Sequence, residues 1–343
     1  MPPLANCSAL DSSRSTQQAA SPLALFDSKH GQNRWAETGF TSREMHTNFV
    51  GVMELLCRLG CVCATTAGES FSQCLPRARI LVVPTSTGEY DRSHKCWKPC
   101  ASQLFTSEEI RAVLDFVQNG GSLLAFGYRF GDSFTRSNLR ELFSPFGCLL
   151  NDDAVVDLQL LRKTYPLDSY FDTAGSDLPL QWSANGVETV RWRTTATFTI
   201  LPGSTAVPLA LSAGGNCISF DRSLRRISFS SLPVAVAGVH GRGRFALFGG
   251  PHVFETGSYG LLTSHHNARF LQNVLRWLLD DQPPNLISSP TGHHALGTFL
   301  FNRRLEVESD VRAQRDQQTI AYVERVLRQT GILKALDRPH WLP

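Results

Sequence analysis

Thr106-Ser-Glu-Glu-Ile-Arg-Ala-Val-Leu-Asp-Phe-Val-Gln-Asn-Gly-Gly-Ser-Leu-Leu-Ala-Phe126 reads as a helix, its stop and the strand that follows. Thr106 and Glu109 have the spacing of a capping box, in which hydroxyl and carboxylate satisfy each other's free backbone donors. Ile110, Val113, Leu114 and Val117 then share one helical face, and Gly120-Gly121 supplies a stop with residues free to take positive φ. Leu123 to Phe126 is a continuous apolar run, as expected of a strand buried on both faces.

The same alternation extends outward in both directions. Upstream, Arg79-Ile-Leu-Val-Val-Pro84 is a second buried strand and Cys61-Val-Cys-Ala-Thr65 a third. Phe49, Val52, Met53, Leu55, Leu56 and Leu59 recur at helical spacing before Gly60. Pro22-Leu-Ala-Leu-Phe26 is a fourth strand whose carboxyl end opens at Asp27 into a polar loop. Downstream, 138–146 reads as a short helix, and Cys148-Leu-Leu and Ala154-Val-Val as extended segments. Between about 158 and 233 the pattern changes to short segments rich in Thr, Ser and aromatics, such as Thr194-Thr-Ala-Thr-Phe-Thr-Ile200, the signature of antiparallel strands. The parallel pattern is then expected to resume with Val234-Ala-Val-Ala-Gly238, a Gly-rich turn and Arg244-Phe-Ala-Leu-Phe248. A helix from about His266 to Leu279 follows, with Phe270, Val274, Trp277 and Leu278 on one face. Repeated strand–helix–strand units predict an α/β protein with a mostly parallel sheet covered by helices.

The expected organisation is therefore a flexible leader over 1–21, an α/β domain built from 22–157 and 234–282, and a strand-rich insert over 158–233. A linker and helical tail occupy 283–343. The tail holds an amphipathic helix over roughly 311–329, with Ile320, Val323 and Leu327 on a narrow stripe that would suit docking into a partner's groove or packing back on its own domain.

With 343 residues, 42% apolar and 18% charged, the chain can bury a substantial core. A net charge of +3 spread over both signs gives no basic stripe of the kind that binds nucleic acid. The nine cysteines, an odd number falling partly at core positions, suit a reducing cytoplasm better than a disulfide framework. No basic segment followed by an apolar one opens the chain, so no signal peptide is expected, and no apolar run approaches the ~18 residues of a membrane span.

Four stretches, taken in order, resemble one family: Phe26-Asp-Ser-Lys-His-Gly-Gln32; the 106–121 helix with Leu123-Leu-Ala-Phe126; Asn151-Asp-Asp-Ala-Val-Val156; and Gly241-Arg-Gly-Arg-Phe-Ala-Leu-Phe-Gly249 with Asn267-Ala-Arg-Phe270. Together they are similar to the GIFT-type domains, bacterial proteins akin to a gliding-machinery transport component and to the N-terminal domain of an intraflagellar-transport subunit. The resemblance spans about 22–281. It implies a flavodoxin-like, class I glutamine-amidotransferase-like sheet.

In an amidotransferase of that fold a cysteine sits on a sharp, glycine-framed strand-to-helix turn beside a histidine that a carboxylate orients. Here the turn reads Gly127-Tyr128-Arg129-Phe130-Gly131, and Arg129 stands at the nucleophile's place. A guanidinium is always protonated and cannot attack a carbonyl, although it can hold an anion. Gly249-Gly-Pro-His252 carries a histidine where the resemblance implies one. Its acid is displaced to Glu255, three residues on instead of two, which on a regular backbone would spoil the pairing; His252 could equally cap the Pro251 turn. Asp27, His30, Tyr128, Arg129, His252 and Glu255 all belong to loops at the carboxyl ends of strands, where ligands bind in such sheets. Either they converge on a pocket for a small anionic or sugar ligand, or they make loop-stabilising hydrogen bonds.

Other constellations are weaker. His94, Cys96 and Cys100, with Cys74 as a guess, lack a fourth zinc ligand at recognisable spacing, so no metal site is expected. The adjacent pairs His265-His266 and His293-His294 put neighbours on different faces. Gly238-Val-His-Gly-Arg-Gly243 precedes a strand and cannot cradle phosphate as a helix-opening loop does; no cofactor is expected. Trp182, Trp192 and Tyr170 are candidates to stack on a sugar ring, with core packing the alternative. The function these features point to is a non-catalytic ligand- or protein-binding module, a cytoplasmic subunit of a larger assembly. The alternative is an amidohydrolase or amidotransferase-like enzyme using His252 with a non-standard nucleophile.

Overall fold

A computed structural model describes residues 5–6, 21–30, 49–66, 71–85, 89–91, 96–157, 170–212, 217–221, 227–228, 231–256 and 260–280. The tail over 283–343, with its helix at 311–329, and most of the 1–21 leader lie outside the described residues.

In chain order the first elements are β1 (Ala5–Asn6), β2 (Leu23–Phe26), α1 (Val50–Arg58), β3 (Val62–Thr65), α2 (Phe71–Cys74), β4 (Ile80–Val83), β5 (Glu89–Asp91) and β6 (Cys96–Lys98). Next come α3 (Ser107–Gln118), β7 (Ser122–Phe126), α4 (Gly131–Thr135), α5 (Leu139–Phe143), β8 (Cys148–Leu150), β9 (Asp153–Asp157) and β10 (Tyr170–Ala174). The last are α6 (Gln181–Ala184), β11 (Thr189–Arg193), β12 (Phe198–Ile200), β13 (Val207–Leu211), β14 (Cys217–Asp221), β15 (Ile227–Ser228), β16 (Pro233–His240), β17 (Gly243–Phe248) and α7 (Asn267–Leu279).

The protein is mixed α/β around a mostly parallel sheet of 8 strands in the order β1-β3-β2-β4-β7-β17-β16-β13. β3, β2, β4, β7 and β17 pair in parallel throughout. Numbered by their own succession they lie in the order 2-1-3-4-5, so the chain reverses its direction of winding between β2 and β4.

Both faces of this sheet are covered, which is why its strands are apolar without interruption. Alternate residues point to opposite sides. Ala24, Phe26, Ile80, Val82, Leu124, Phe126, Ala246 and Phe248 pack with Val52, Met53 and Leu56 of α1 and Phe270, Val274 and Leu278 of α7. Leu23, Leu25, Leu81, Val83, Leu123, Ala125, Phe245 and Leu247 pack with Val113 and Val117 of α3 and Leu142 and Phe143 of α5.

The α3 capping box forms in full: Glu109 N donates to Thr106 Oγ1 at 3.2 Å, and Thr106 N to Glu109 Oε2 at 2.9 Å. Only Gly120 of the glycine pair takes positive φ, at 107°.

One expectation needs correction. β16 and β17 do not continue the parallel pattern as a pair: they form an antiparallel hairpin, with His240 opposite Gly243, and only β17 runs parallel to β7. The two residues between them, Gly241 and Arg242, are too few for a crossover, so the strands must turn back on each other. On the other side of the sheet, Ala5–Asn6 pairs in parallel with Ala64 and Thr65 of β3. Without it β3 would be the edge, with a row of unmet backbone groups facing outward.

The strand-rich segment is antiparallel where described: β10 pairs with β11, β8 with β12, and β14 with β9 and β15. Its β13 instead joins the main sheet beside β16. At the opposite end, the amino edge of the sheet grips the C-terminus of α7. Ser122 Oγ donates to Leu278 O at 2.6 Å, Arg79 Nη2 to Asp280 O at 3.0 Å, and Arg244 Nη1 to Trp277 O. Two guanidinium groups at a helix C-terminus both satisfy orphan carbonyls and oppose the helix dipole.

Candidate functional site

The loops leaving β2, β3, β4, β7 and β17 meet at the carboxyl edge, and their polar side chains fall into two groups. The first lies at the winding reversal between β2 and β4, where doubly wound sheets place their crevice. Asp27 and His30 are buried there. Asp27 Oδ1 accepts from Lys29 N at 3.0 Å, an Asx turn that bends the chain back. Its other oxygen meets His30 Nδ1 at 2.9 Å, and His30 Nε2 meets Glu109 Oε2 at 3.2 Å. The ring lies flat on Phe105, centroids 3.7 Å apart, and Phe105's backbone is held on both sides by the Asn138 amide. Thr66 Oγ1, at the end of β3, accepts from Ser28 N at 2.9 Å.

Glu109 therefore serves twice: it caps α3 and it closes the network on His30. Lys29 Nζ adds a 2.5 Å contact to its Oε1. Burial alone would raise the Glu109 carboxyl, but the bonds from Lys29 and Thr106, with His30 beside it, outweigh this and hold it at about 2. Asp27 and His30 thus tie the loop after β2 to the start of α3.

The second group surrounds the turn after β7. Gly127 N donates to Phe248 O at 2.7 Å, and Thr85 Oγ1 donates to Gly127 O at 3.1 Å. The chain then bends sharply at Phe130, which has left-handed φ 58°, and Phe130 N donates to Asp153 O at 2.6 Å. So the strained position belongs to Phe130, one residue beyond Arg129. Phe130 is fully buried and Arg129 is 2% exposed. The Arg129 guanidinium carbon lies 5.1 Å from the Tyr128 ring centroid and 5.7 Å from that of Phe134, cation–π distances. Neither side chain offers an attacking atom.

His252 follows β17 through Gly249-Gly250-Pro251, and its ring sits 5.7 Å from Tyr128, edge to face. Its Nδ1 is 2.5 Å from Glu255 Oε2. The pairing that the three-residue spacing was expected to spoil therefore forms. The reason is that 251–255 is not extended: Phe254 N and Glu255 N both donate to Pro251 O, and in such a helical turn residues three apart share a face. Burial lowers the His252 pKa; Glu255 opposes this, and the Arg193 and Arg129 cations reinforce it. A neutral imidazole donating from Nδ1 presents a lone pair at Nε2, the tautomer of a base. Among the described residues no hydroxyl or thiol hydrogen-bonds to that ring. Cys148 lies in the core, where burial pushes its thiol up to about 12, leaving it protonated and inert.

Arg193, buried at the end of β11, was not singled out in the sequence, and Glu109 was not read as part of this site. Arg193 sits in a strand with no motif around it. Glu109 was visible only as a cap, because its second partner is 79 residues away.

The aromatic platform is not assembled. Trp192 is 1% exposed, stacked on Phe171 with centroids 6.2 Å apart and packed against Phe248 and Phe270. Trp182 instead stacks on Trp277 at 4.8 Å, between α6 and α7. Tyr170 begins β10, opposite Arg193. His94 lies outside the described residues, and among those described no group of His, Cys, Asp or Glu is arranged to hold a metal. No described helix is long and apolar enough to cross a membrane.

Close backbone packing explains the glycines before His252. A Cβ on Gly249 would stand 1.9 Å from Ala196 O and 2.8 Å from Thr195 Oγ1. Gly249→Ala is expected to cost about 2–3 kcal/mol and to displace the His252 turn. Urea unfolding measures the first effect, and the His252 chemical shifts the second.

No protein-family model matches the chain, and no curated protein matches it in sequence. Solved structures are similar to it. The N-terminal domain of mmIFT52 superposes with a TM-score of 0.52 at 18% identity, covering 75% of this chain and 96% of that one. A cytoplasmic protein from Salmonella typhimurium gives a TM-score of 0.44 at 15% identity, over 75% of this chain and 98% of its own. A ThuA-like protein from Bacteroides uniformis gives 0.39 at 13%, over 78% and 95%. At 18% identity the likeness to the mmIFT52 domain is one of fold.

Proposed function

We propose that this chain is a GIFT-type module with a flavodoxin-like, amidotransferase-like sheet that binds a protein partner or small ligand without covalent catalysis. It works in the cytoplasm as a subunit of a larger assembly. The observation that carries this reading is the turn after β7, where Arg129 and Phe130 stand in place of a nucleophile and both side chains are buried. The fold it shares with the mmIFT52 N-terminal domain supports the same reading.

Partner binding is assigned to the 283–343 segment, through the stripe of Ile320, Val323 and Leu327. That segment follows Asp280, which is held at the amino edge of the sheet. The carboxyl edge, with Tyr128, Arg129 and His252, is left for a small anion or polyol. Size-exclusion chromatography and pull-down from native extract test the assembly: a defined complex lost on deleting 311–329 is expected, and a lone monomer would overturn it.

A second reading has one observation in its favour. The neutral His252, oriented by Glu255 at 2.5 Å, is equipped to deprotonate water or a substrate hydroxyl. This would make the protein an amidohydrolase without a covalent intermediate. Hydrolysis of simple amides that is abolished in His252→Ala would favour the enzyme, and serine- or thiol-directed probes would reveal a covalent variant of it.

A further inference from the structure

Three cysteines gather where α1 turns into β3, apart from both groups at the carboxyl edge. Cys57 lies in the last turn of the helix and is exposed, whereas Cys61 and Cys63 are buried. The turn is tight: Gly60 N donates to Cys57 O and Cys61 N to Leu56 O, with Gly60 at positive φ. This folds β3 back along the helix and brings Cys57 Sγ to 3.7 Å from Cys63 Sγ. Cys63 Sγ otherwise points at Met53 O, 3.8 Å away.

We infer that Cys57 and Cys63 form a peroxide-responsive dithiol pair, with Cys57 oxidised first and Cys63 resolving it. Exposure decides the order, because an oxidant reaches only a thiol that solvent reaches. In the first step the Cys57 thiolate attacks hydrogen peroxide. The O–O bond breaks, an S–O bond forms, and hydroxide leaves to take up the thiol's proton as water. In the second step Cys63 sulfur attacks Cys57 sulfur. The S–S bond forms as the S–O bond breaks, and the departing hydroxide takes the Cys63 proton as a second water. The sulfurs need to close from 3.7 Å to about 2.05 Å for the bond to form. Burial, and then the neighbouring Cys57, raise the Cys63 pKa, so the second step is the slow one: the Cys63 proton has to pass to the departing hydroxide as its sulfur attacks. A disulfide made and broken in this way is the kind that a reducing compartment permits.

The test uses the reduced full-length protein, treated with hydrogen peroxide, alkylated and digested with trypsin without reductant. Arg58 lies between the two cysteines, so a Cys57–Cys63 disulfide holds peptides 44–58 and 59–77 together; the second also carries Cys61 and Cys74, so fragmentation of the crosslinked pair assigns the partner. The expected product is that pair, lighter by two hydrogens and released by dithiothreitol. Cys63→Ser is expected to accumulate a dimedone-reactive sulfenic acid at Cys57, and Cys57→Ser to slow oxidation of Cys63 by about tenfold or more. Circular dichroism checks both variants for folding, and Cys63→Ala replaces Cys63→Ser if that one unfolds. Pairing of Cys57 with Cys61 or another cysteine, oxidation of wild-type Cys57 to sulfinic acid without crosslinking, or equal oxidation of Cys63 in Cys57→Ser would each overturn the inference.

Discussion

Trp192→Ala is expected to lower the unfolding free energy by about 3–5 kcal/mol, a large part of the stability of most domains. The indole is 1% exposed. It joins β11 to the central sheet at Phe248 and to α7 at Phe270, with Phe171 stacked on its other side. Truncation removes most of a large buried side chain and leaves a cavity between three elements that cannot all collapse onto it. Trp192→Phe, which keeps a ring in the stack, is expected to recover about half of the loss. Urea midpoints of the three proteins measure this. The same experiment separates core packing from sugar recognition, since a ligand-stacking tryptophan at a surface would change affinity and leave the midpoint nearly unmoved.

Glu109→Gln is expected to cost about 2–3 kcal/mol at neutral pH, through the buried network and not through the helix cap. Glutamine at this position still closes a capping box on Thr106. What it removes is the charge that faces His30 at 3.2 Å and Lys29 at 2.5 Å. The pH dependence gives an independent check. The folded-state value of about 2 lies below the ordinary value of 4.5. The stabilisation is therefore present in full above about pH 4.5 and is lost as pH falls toward 2; its size is reduced by solvent screening, since the Lys29 side chain is 45% exposed. Wild-type midpoints should drop across that window more steeply than those of Glu109→Gln. Parallel profiles for the two proteins would show that the carboxylate is not held as the geometry implies.

Local features were legible from residues alone. The capping box at Thr106 and Glu109, and the apolar runs of β4 and β7, announce themselves because their causes lie within a few residues. Long-range partners do not. Nothing near Glu109 names His30, and nothing near Trp192 says that its neighbours are Phe248 and Phe270. The His252–Glu255 spacing misled because it was judged on a regular backbone, whereas Pro251 begins a helical turn that brings residues three apart together. The hairpin of β16 and β17 was missed because the strands were read as ending at Gly238 and starting at Arg244, whereas they run to His240 and from Gly243 and leave a loop of two residues. The strain at Phe130 had no local signal, because a left-handed phenylalanine is held there by burial and by Asp153 O, not by any preference of its own. The part of the sheet that β13 completes came from a segment that reads as an insert.

We propose that the turn after β7 offers no attacking atom and that, among the described residues, no hydroxyl or thiol stands beside the Glu255-paired His252 for acyl transfer. Ammonia release from glutamine and simple amides tests it most directly, with wild-type protein measured beside His252→Ala. Equal rates for the two, at the level of buffer alone, are expected. Release by the wild type that disappears in His252→Ala would contradict the claim.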